Sequence, residues 1–313
     1  MRNNKNTTHI EGLLYQHTLT LKTTGEKSKT PGIQYINGTI DIATDNALVN
    51  IVTVHYTYVT EKTKNGSNNN TFTTLQNIIN GTLGNVVEHG VDKAVKLRID
   101  SQVGLNEFYS NRTGTEELVS AKRNEGGFIH TIQTLADDEN ARNTFECDML
   151  ITGAKRIEAD PEKNTKEVVK VKGFFFNFRN DLLPVELNAY TTGAMDYFEG
   201  LEASQTNPIY TKVWGRQVSQ VTMVKTVEES AFGEQKVTET PRSNREFVIT
   251  GAMSEPYVWD DESTMTKAEY EKALADRQLA VAEIKRRQDE YNATKAQTQA
   301  PAAAVGGVNG FNF

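Results

Sequence analysis

The run Tyr210-Thr-Lys212-Val-Trp214-Gly-Arg216 has the most suggestive spacing in the chain. Alternate side chains of an extended strand share a face. Tyr210, Lys212, Trp214 and Arg216 then fall on one side, with Thr211, Val213 and Gly215 on the other. Two cations interleaved with two large rings can neutralise phosphates while flat groups stack beside them, each stack contributing roughly 1 to 3 kcal/mol. The competing reading of the same run puts Trp214 in a core and leaves the cations at its rim.

Further residues of the same chemistry are spread along the sequence. Phe174, Phe176 and Phe178 share one strand face, with Phe175 opposite and Arg179 at the following turn. Either three phenylalanines point inward, or Phe174 and Phe176 belong to an exposed stacking ladder. Tyr56 and Tyr58 alternate in VTVHYTYVT, and Lys62 and Lys64 follow in an Asn-rich loop suited to phosphates and bases. Lys96 and Arg98 share a strand face, and Lys122, Arg123 and Phe128 surround the flexible pair Gly126-Gly127.

No catalytic frame accompanies them. The five histidines are scattered, without the close His or Cys spacing that gathers ligands around a metal. The phosphate-binding, dinucleotide-binding and nucleophile-elbow motifs are missing. Asp137-Asp138-Glu139 reads as a solvated loop. The expectation is a binding protein and not an enzyme, with no cofactor and no metal.

The elements that must position these residues are mostly strands. The chain has 313 residues, 37% of them hydrophobic, and a formal charge of −7. That excludes a polycation but leaves room for a local basic groove. Val, Ile, Thr, Phe and Tyr dominate up to about residue 260, which is strand chemistry. The single cysteine, Cys147, lies in a strand-like stretch and reads as a buried thiol, consistent with a reducing compartment. The sequence shows neither a secretory h-region nor an apolar run long enough to span a membrane, so a cytoplasmic location and no membrane partner are expected.

Self-similarity organises the body. LITGA (150–154) and VITGA (248–252), which share Ile-Thr-Gly-Ala at 151–154 and 249–252, read as matching closing strands. KLRIDSQV (96–103) matches KVWGRQV (212–218), and LQNIING (75–81) matches MDYFEG (195–200), each a short helix ended by glycine. The strand–turn–strand of residues 35–56 matches that of 171–190. The fold class expected is mainly β: two tandem small barrels of the oligonucleotide/oligosaccharide-binding type from an internal repeat, plus a C-terminal α-helix and a flexible tail. The boundaries expected are an N-terminal arm over 1–30, the first barrel with loop insertions over 31–160 and the second over 161–262. A long helix over 263–295 and a flexible tail over 296–313 follow.

Thr266-Lys-Ala-Glu269 is a capping box that opens the helix. Its stripe of Tyr270, Leu274, Val281, Ile284 and Tyr291 is interrupted by Arg277 and Gln288. So thin a stripe points to packing along the body, with self-association as the other option. The tail ends in Phe311 and Phe313, which invite docking to a partner protein.

The strands VKVKGFFFNF and TKVWGRQVS, the LITGA and VITGA segments and the low-complexity tail with a terminal Phe together resemble a bacteriophage-type single-stranded DNA-binding replication protein with tandem barrels. The resemblance covers residues 31 to 262. It implies non-sequence-specific coating of single-stranded DNA in replication and recombination, and recruitment of replication or recombination partners through the C-terminus. Such tails carry several Asp residues before the final Phe, and AAAVGGVNGFNF has none. The alternative function class is a virion structural protein of a tail or capsid.

Overall fold

The computed structural model describes residues 4–112, 114–160, 165–228, 232, 236–259 and 265–299. The docking role expected for Phe311 and Phe313 lies outside the described residues.

The chain enters its fold at once. β1 (Asn6–His17) turns Ile10 and Leu14 into an apolar interior. A short edge strand β2 (Thr20–Thr23), β3 (Gln34–Ala43), β4 (Ile51–Thr60), helices α1 (Asn70–Ile79) and α2 (Val86–His89), β5 (Lys96–Ser110) and β6 (Glu117–Thr131) follow. β1 pairs antiparallel with both β3 and β5, β3 with β4, and β5 with β6, while β4 meets β6 in parallel and closes a barrel. Ile36, Ile40 and Ile42 of β3 and Val52, Val54 and Tyr56 of β4 fill it together with Phe72, Leu75 and Ile78 of α1. Asn69 caps α1 by accepting from the Thr71 N–H, and Gly81 just beyond it has φ 72°, a conformation that favours glycine.

The second barrel repeats this order. β7 (Asn143–Ile157), β8 (Val168–Phe176), β9 (Leu182–Ala189), α3 (Thr192–Gly200), β10 (Ile209–Glu228) and β11 (Lys236–Ala252) follow one another. β7 pairs with β8 and β10, β8 with β9, β10 with β11, and β9 meets β11 in parallel. Five strands closed in this order, with a helix between the third and fourth, form the oligonucleotide/oligosaccharide-binding barrel. Phe145, Phe175, Phe198 and Phe247 are the large residues of its core.

Two expected boundaries give way. The segment expected as an N-terminal arm supplies β1, the first strand of barrel one, as well as β2. The LITGA segment expected to close barrel one belongs to β7, which opens barrel two; barrel one closes with β6. An apolar strand with a bend glycine looks the same whether it opens or closes a barrel. Only its pairing distinguishes the two.

The barrels share one wall, because β1 pairs antiparallel with β7 from Asn6↔Cys147 to Ile10↔Asn143. Beside that seam, the buried amides of Gln217 and Asn124 exchange hydrogen bonds of 2.8 and 3.0 Å, and the Asn143 side chain donates to the Gln217 carbonyl at 2.5 Å. Cys147 is fully buried, and burial pushes its thiol pKa up, as a structural cysteine requires.

The last element, α4 (Lys267–Gln299), opens with the capping box: the Glu269 N–H donates to Thr266 Oγ1 at 3.2 Å and the Thr266 N–H to Glu269 Oε2 at 2.8 Å. Met265 and Tyr270 pack on Phe176, Leu182 and Tyr210, so the helix lies along the body. The two residues that interrupt its apolar stripe make its polar contacts. Arg277 donates twice to the Glu107 carboxylate, and the Gln288 amide accepts from the Tyr109 N–H at 2.8 Å and donates to its carbonyl at 2.6 Å. Among the described residues no helix is long and apolar enough to cross a membrane.

Candidate nucleic-acid interface

The outer face of β2, β3 and β4 gathers aromatic rings and lysines. β3 alternates regularly, with Ile36, Ile40 and Ile42 buried and Tyr35, Asn37 and Thr39 outward. β4 does not. Ile36 pairs with Val59 and Gly38 with Tyr56, so Thr57 and Tyr58 together oppose Asn37 in a β-bulge. The bulge turns Tyr58 outward, half exposed, against Tyr35, with ring centroids 4.7 Å apart and planes tilted by 37°. Asn37 holds the bulge by donating to the Thr57 carbonyl at 3.1 Å, and the Lys22 ammonium donates to Asn37 Oδ1 at 3.2 Å.

Lys22 stands directly across from Tyr35. The β2–β3 hairpin tip adds Lys27 and Lys29, and the loop after β4 adds Lys62 and Lys64, all exposed. Against these five lysines the same segments carry two glutamates, Glu26 and Glu61. The result is a basic patch around a ring pair, with Tyr58 exposed and Tyr35 partly buried, on an acidic protein. Of its members, the sequence reading had found Tyr58, Lys62 and Lys64. It missed Tyr35, Lys22, Lys27 and Lys29, although the β3 alternation already set Tyr35 outward; what it lacked was the register that brings Lys22 and Tyr58 beside it.

Tyr56, expected beside Tyr58, is instead a core residue of barrel one at 2% exposure, because the bulge separates the two. Burial raises the pKa of its phenol.

The strand expected to present Tyr210, Lys212, Trp214 and Arg216 side by side splits. Tyr210 does face outward from barrel two, but Phe176, Tyr257 and Trp259 cover it, and its hydroxyl donates to Asn4. Phe176 is fully buried in that cluster and Phe174 is partly buried against it, so neither forms an exposed ladder; Phe175 alone of the three points into the barrel core. Arg179 lies in the turn after β8, its guanidinium 5.1 Å from the exposed Phe178 ring, beside a 460 Å³ cavity under α4. Lys212 pairs with Glu146 at 3.4 Å, as does Lys5 at 2.8 Å.

Trp214 and Arg216 do reach a second recess, of 910 Å³, on the outer wall where the barrels join. Its far side holds Phe128, 74% exposed, and His9 lies between, bonded to Asp100 at 3.0 Å. The Trp214 indole lies across Gly251, where an added Cβ would come within 2.3 Å of it. Asp100, Asp138 and Glu146 line this recess too, which makes it a poorer phosphate site than the β2–β4 face. Lys96, which donates to the Gln133 carbonyl at 3.0 Å, and Arg98, paired with Asp100 at 3.4 Å, sit on β5, away from Tyr58. Lys122 and Arg123 lie in a cleft between the barrels.

Among the described residues no cluster of His, Cys, Asp and Glu could hold a metal ion. Two fused barrels with an exposed aromatic and basic face on one of them define a tandem-barrel protein of the oligonucleotide/oligosaccharide-binding class. The chain belongs to the YorF family, whose model matches residues 5–287. No curated protein matches the sequence. Among solved structures, the chain is similar in outline to a deletion mutant of the single-stranded DNA binding protein from Thermus aquaticus. That likeness has a TM-score of 0.47 at 11% identity and covers 83% of this chain and 98% of that one. The wild-type form of the same Thermus aquaticus protein gives a TM-score of 0.42 at 11% identity, covering 81% of this chain and 93% of that one.

Proposed function

We propose that the chain binds single-stranded DNA, without strong sequence preference, on the β2–β4 face of barrel one. The observation that carries this reading is the Tyr35–Tyr58 ring pair on the second and third strands of the barrel, 4.7 Å between centroids, set among five exposed lysines of β2 and the adjoining loops. That is the face on which barrels of this type take oligonucleotides. Bases stack on rings whatever their identity, and ammonium groups neutralise phosphates whatever the sequence, so this chemistry favours coating over reading. A place in DNA replication or recombination, recruitment of partner proteins and the phage-type character are what the sequence resemblance implies, and they form the wider part of the proposal.

The test is fluorescence anisotropy with a labelled oligothymidylate of about 10 nucleotides, a length within the usual range for one such barrel. Tyr58→Ala should weaken binding by about one stack, roughly 1 to 3 kcal/mol, at unchanged thermal stability. Wild-type affinity that does not exceed that for a duplex of equal length would refute the reading.

A further inference from the structure

The cleft between the barrels is built from both of them. β4 and β6 contribute His55, Lys122 and Arg123, and β11 contributes Arg245, Phe247 and one carboxylate, Glu246, which accepts from the Tyr190 hydroxyl at 2.5 Å, around a space of 260 Å³. Each cation there is held differently. The Arg123 guanidinium is tied to Glu125 at 2.5 and 2.6 Å, which fixes its position. Lys122 spans the gap: its ammonium donates to the Glu186 carbonyl on β9 and sits 5.6 Å from the Phe247 ring centroid. Arg245 is exposed at the rim. The His55 imidazole pKa is lowered, first by burial and then by Arg123 and Arg245, with Glu125 and Asp41 opposing.

Position gives this cleft its meaning. His55 and Tyr58 are three residues apart on β4, about 10 Å at the rise of a strand, so the cleft opens directly off the aromatic face of barrel one. On its other side, Lys122 touches β9, and the neighbouring strand β8 carries Lys170 and Lys172, which flank Glu186 at 2.6 and 3.6 Å. Lys172 is 63% exposed. Cations therefore run from the loop lysines of barrel one, through the cleft, to the outer face of barrel two, which is the same pair of strands in its own barrel as β3 and β4 are in theirs.

We propose that the cleft is a phosphodiester-binding site that carries one continuous single strand from the Tyr35–Tyr58 face of barrel one to the lysines of β8 on barrel two. This rests on the binding reading above and adds the route. Rings stand at the start of the path and cations without exposed rings at the cleft, so bases stack first and the backbone alone is gripped at the crossing. Arg245 contributes to that grip, and Lys172 receives the strand beyond it.

The experiment compares oligothymidylates of about 8 and about 25 nucleotides, one short enough for a single barrel and one long enough for two. Wild-type protein should bind the longer strand more tightly, beyond the statistical gain from its larger number of registers. Arg245→Ala should remove most of that gain, about 5- to 10-fold at low salt, and reduce the salt slope for the longer strand by about one phosphate contact, while the shorter strand binds as before. Lys172→Ala should act in the same sense, and as an exposed residue on a barrel wall it serves as the second variant should Arg245→Ala disturb β11. Equal loss for both lengths, or no loss for either, overturns the route. If Tyr58→Ala still weakens both lengths in that case, binding on barrel one stands and the crossing alone is wrong. If neither length binds wild-type protein, both readings fall together.

Discussion

Tyr56 and Tyr58 stand two residues apart on β4 and point to opposite sides of the barrel wall. Regular alternation would put them on one face. The bulge opposite Asn37 inserts one residue between them, so Tyr56 enters the core at 2% exposure while Tyr58 stands half exposed against Tyr35.

Their substitutions should therefore separate stability from binding. Tyr56→Ala should cost about 3 to 5 kcal/mol of unfolding free energy, as removal of a buried ring does. Tyr56→Phe should cost little or be stabilising, because the buried hydroxyl has no hydrogen-bond partner among the described residues. Urea titration measures both. A Tyr56→Phe protein destabilised by more than about 2 kcal/mol would reveal a bond to that hydroxyl.

The clamp on α4 should be sensitive to acid. Burial raises the Glu107 pKa, but the hydrogen bonds from Arg277 and Ser120 and the Arg277 charge outweigh it, and the net shift is below the ordinary 4.5. A depressed carboxylate pKa stabilises the fold above the unfolded value and loses that contribution as pH falls through the folded one. Melting temperature should drop below about pH 4.5 in the wild type, and Arg277→Ala should remove part of that drop while lowering stability at neutral pH by about 1 to 2 kcal/mol. Identical pH profiles for the two proteins would show that the pair contributes nothing.

At the barrel junction, Gln217→Ala should leave the buried Asn124 amide without its reciprocal partner, at a cost of about 1 to 3 kcal/mol. Replacing both residues by alanine should cost less than the sum of the single changes, since they share one pair of bonds. Additive losses in chemical denaturation would mean the amides act independently.

Cys147 offers a simple check of the seam between β1 and β7. Its thiol is fully buried, with an elevated pKa, so a thiol reagent should label it only as fast as the protein opens, and one equivalent should react once it is denatured. Rapid labelling of native protein would place Cys147 at the surface.

Much of the architecture can be read in the sequence, and the failures have identifiable causes. The middle of each barrel is legible because a hairpin and the helix after it are local: residues 35–56 and 171–190 each form an antiparallel strand pair, and α1 and α3 follow them. The ends are not, because β1 and β6 join barrel one by pairing with strands remote in sequence. The α4 stripe looked broken at Arg277 and Gln288 because apolar periodicity cannot show a contact made by an ion pair and an amide. At the candidate face, Lys62 and Lys64 were legible from composition, whereas the outward turn of Tyr58 depends on a bulge that alternation does not show. Tyr210 and Phe176 misled because they do lie on the outer face of barrel two, and only Tyr257, Trp259, Met265 and Tyr270, later in the chain, cover them.

The most direct test of the account is the salt dependence of binding to an oligothymidylate of about 10 nucleotides, measured for wild type, Tyr58→Ala and Lys62→Ala/Lys64→Ala. On logarithmic axes the wild type should fall linearly with a slope of about −2 to −3.5, or roughly three to five phosphates at −0.7 each. Tyr58→Ala should shift the line to weaker binding by about 1 to 3 kcal/mol at the same slope, and the double lysine variant should flatten it by about one to one and a half. A wild-type slope near zero, or a Tyr58→Ala line that coincides with the wild type, would contradict the assignment of this face as the nucleic-acid interface.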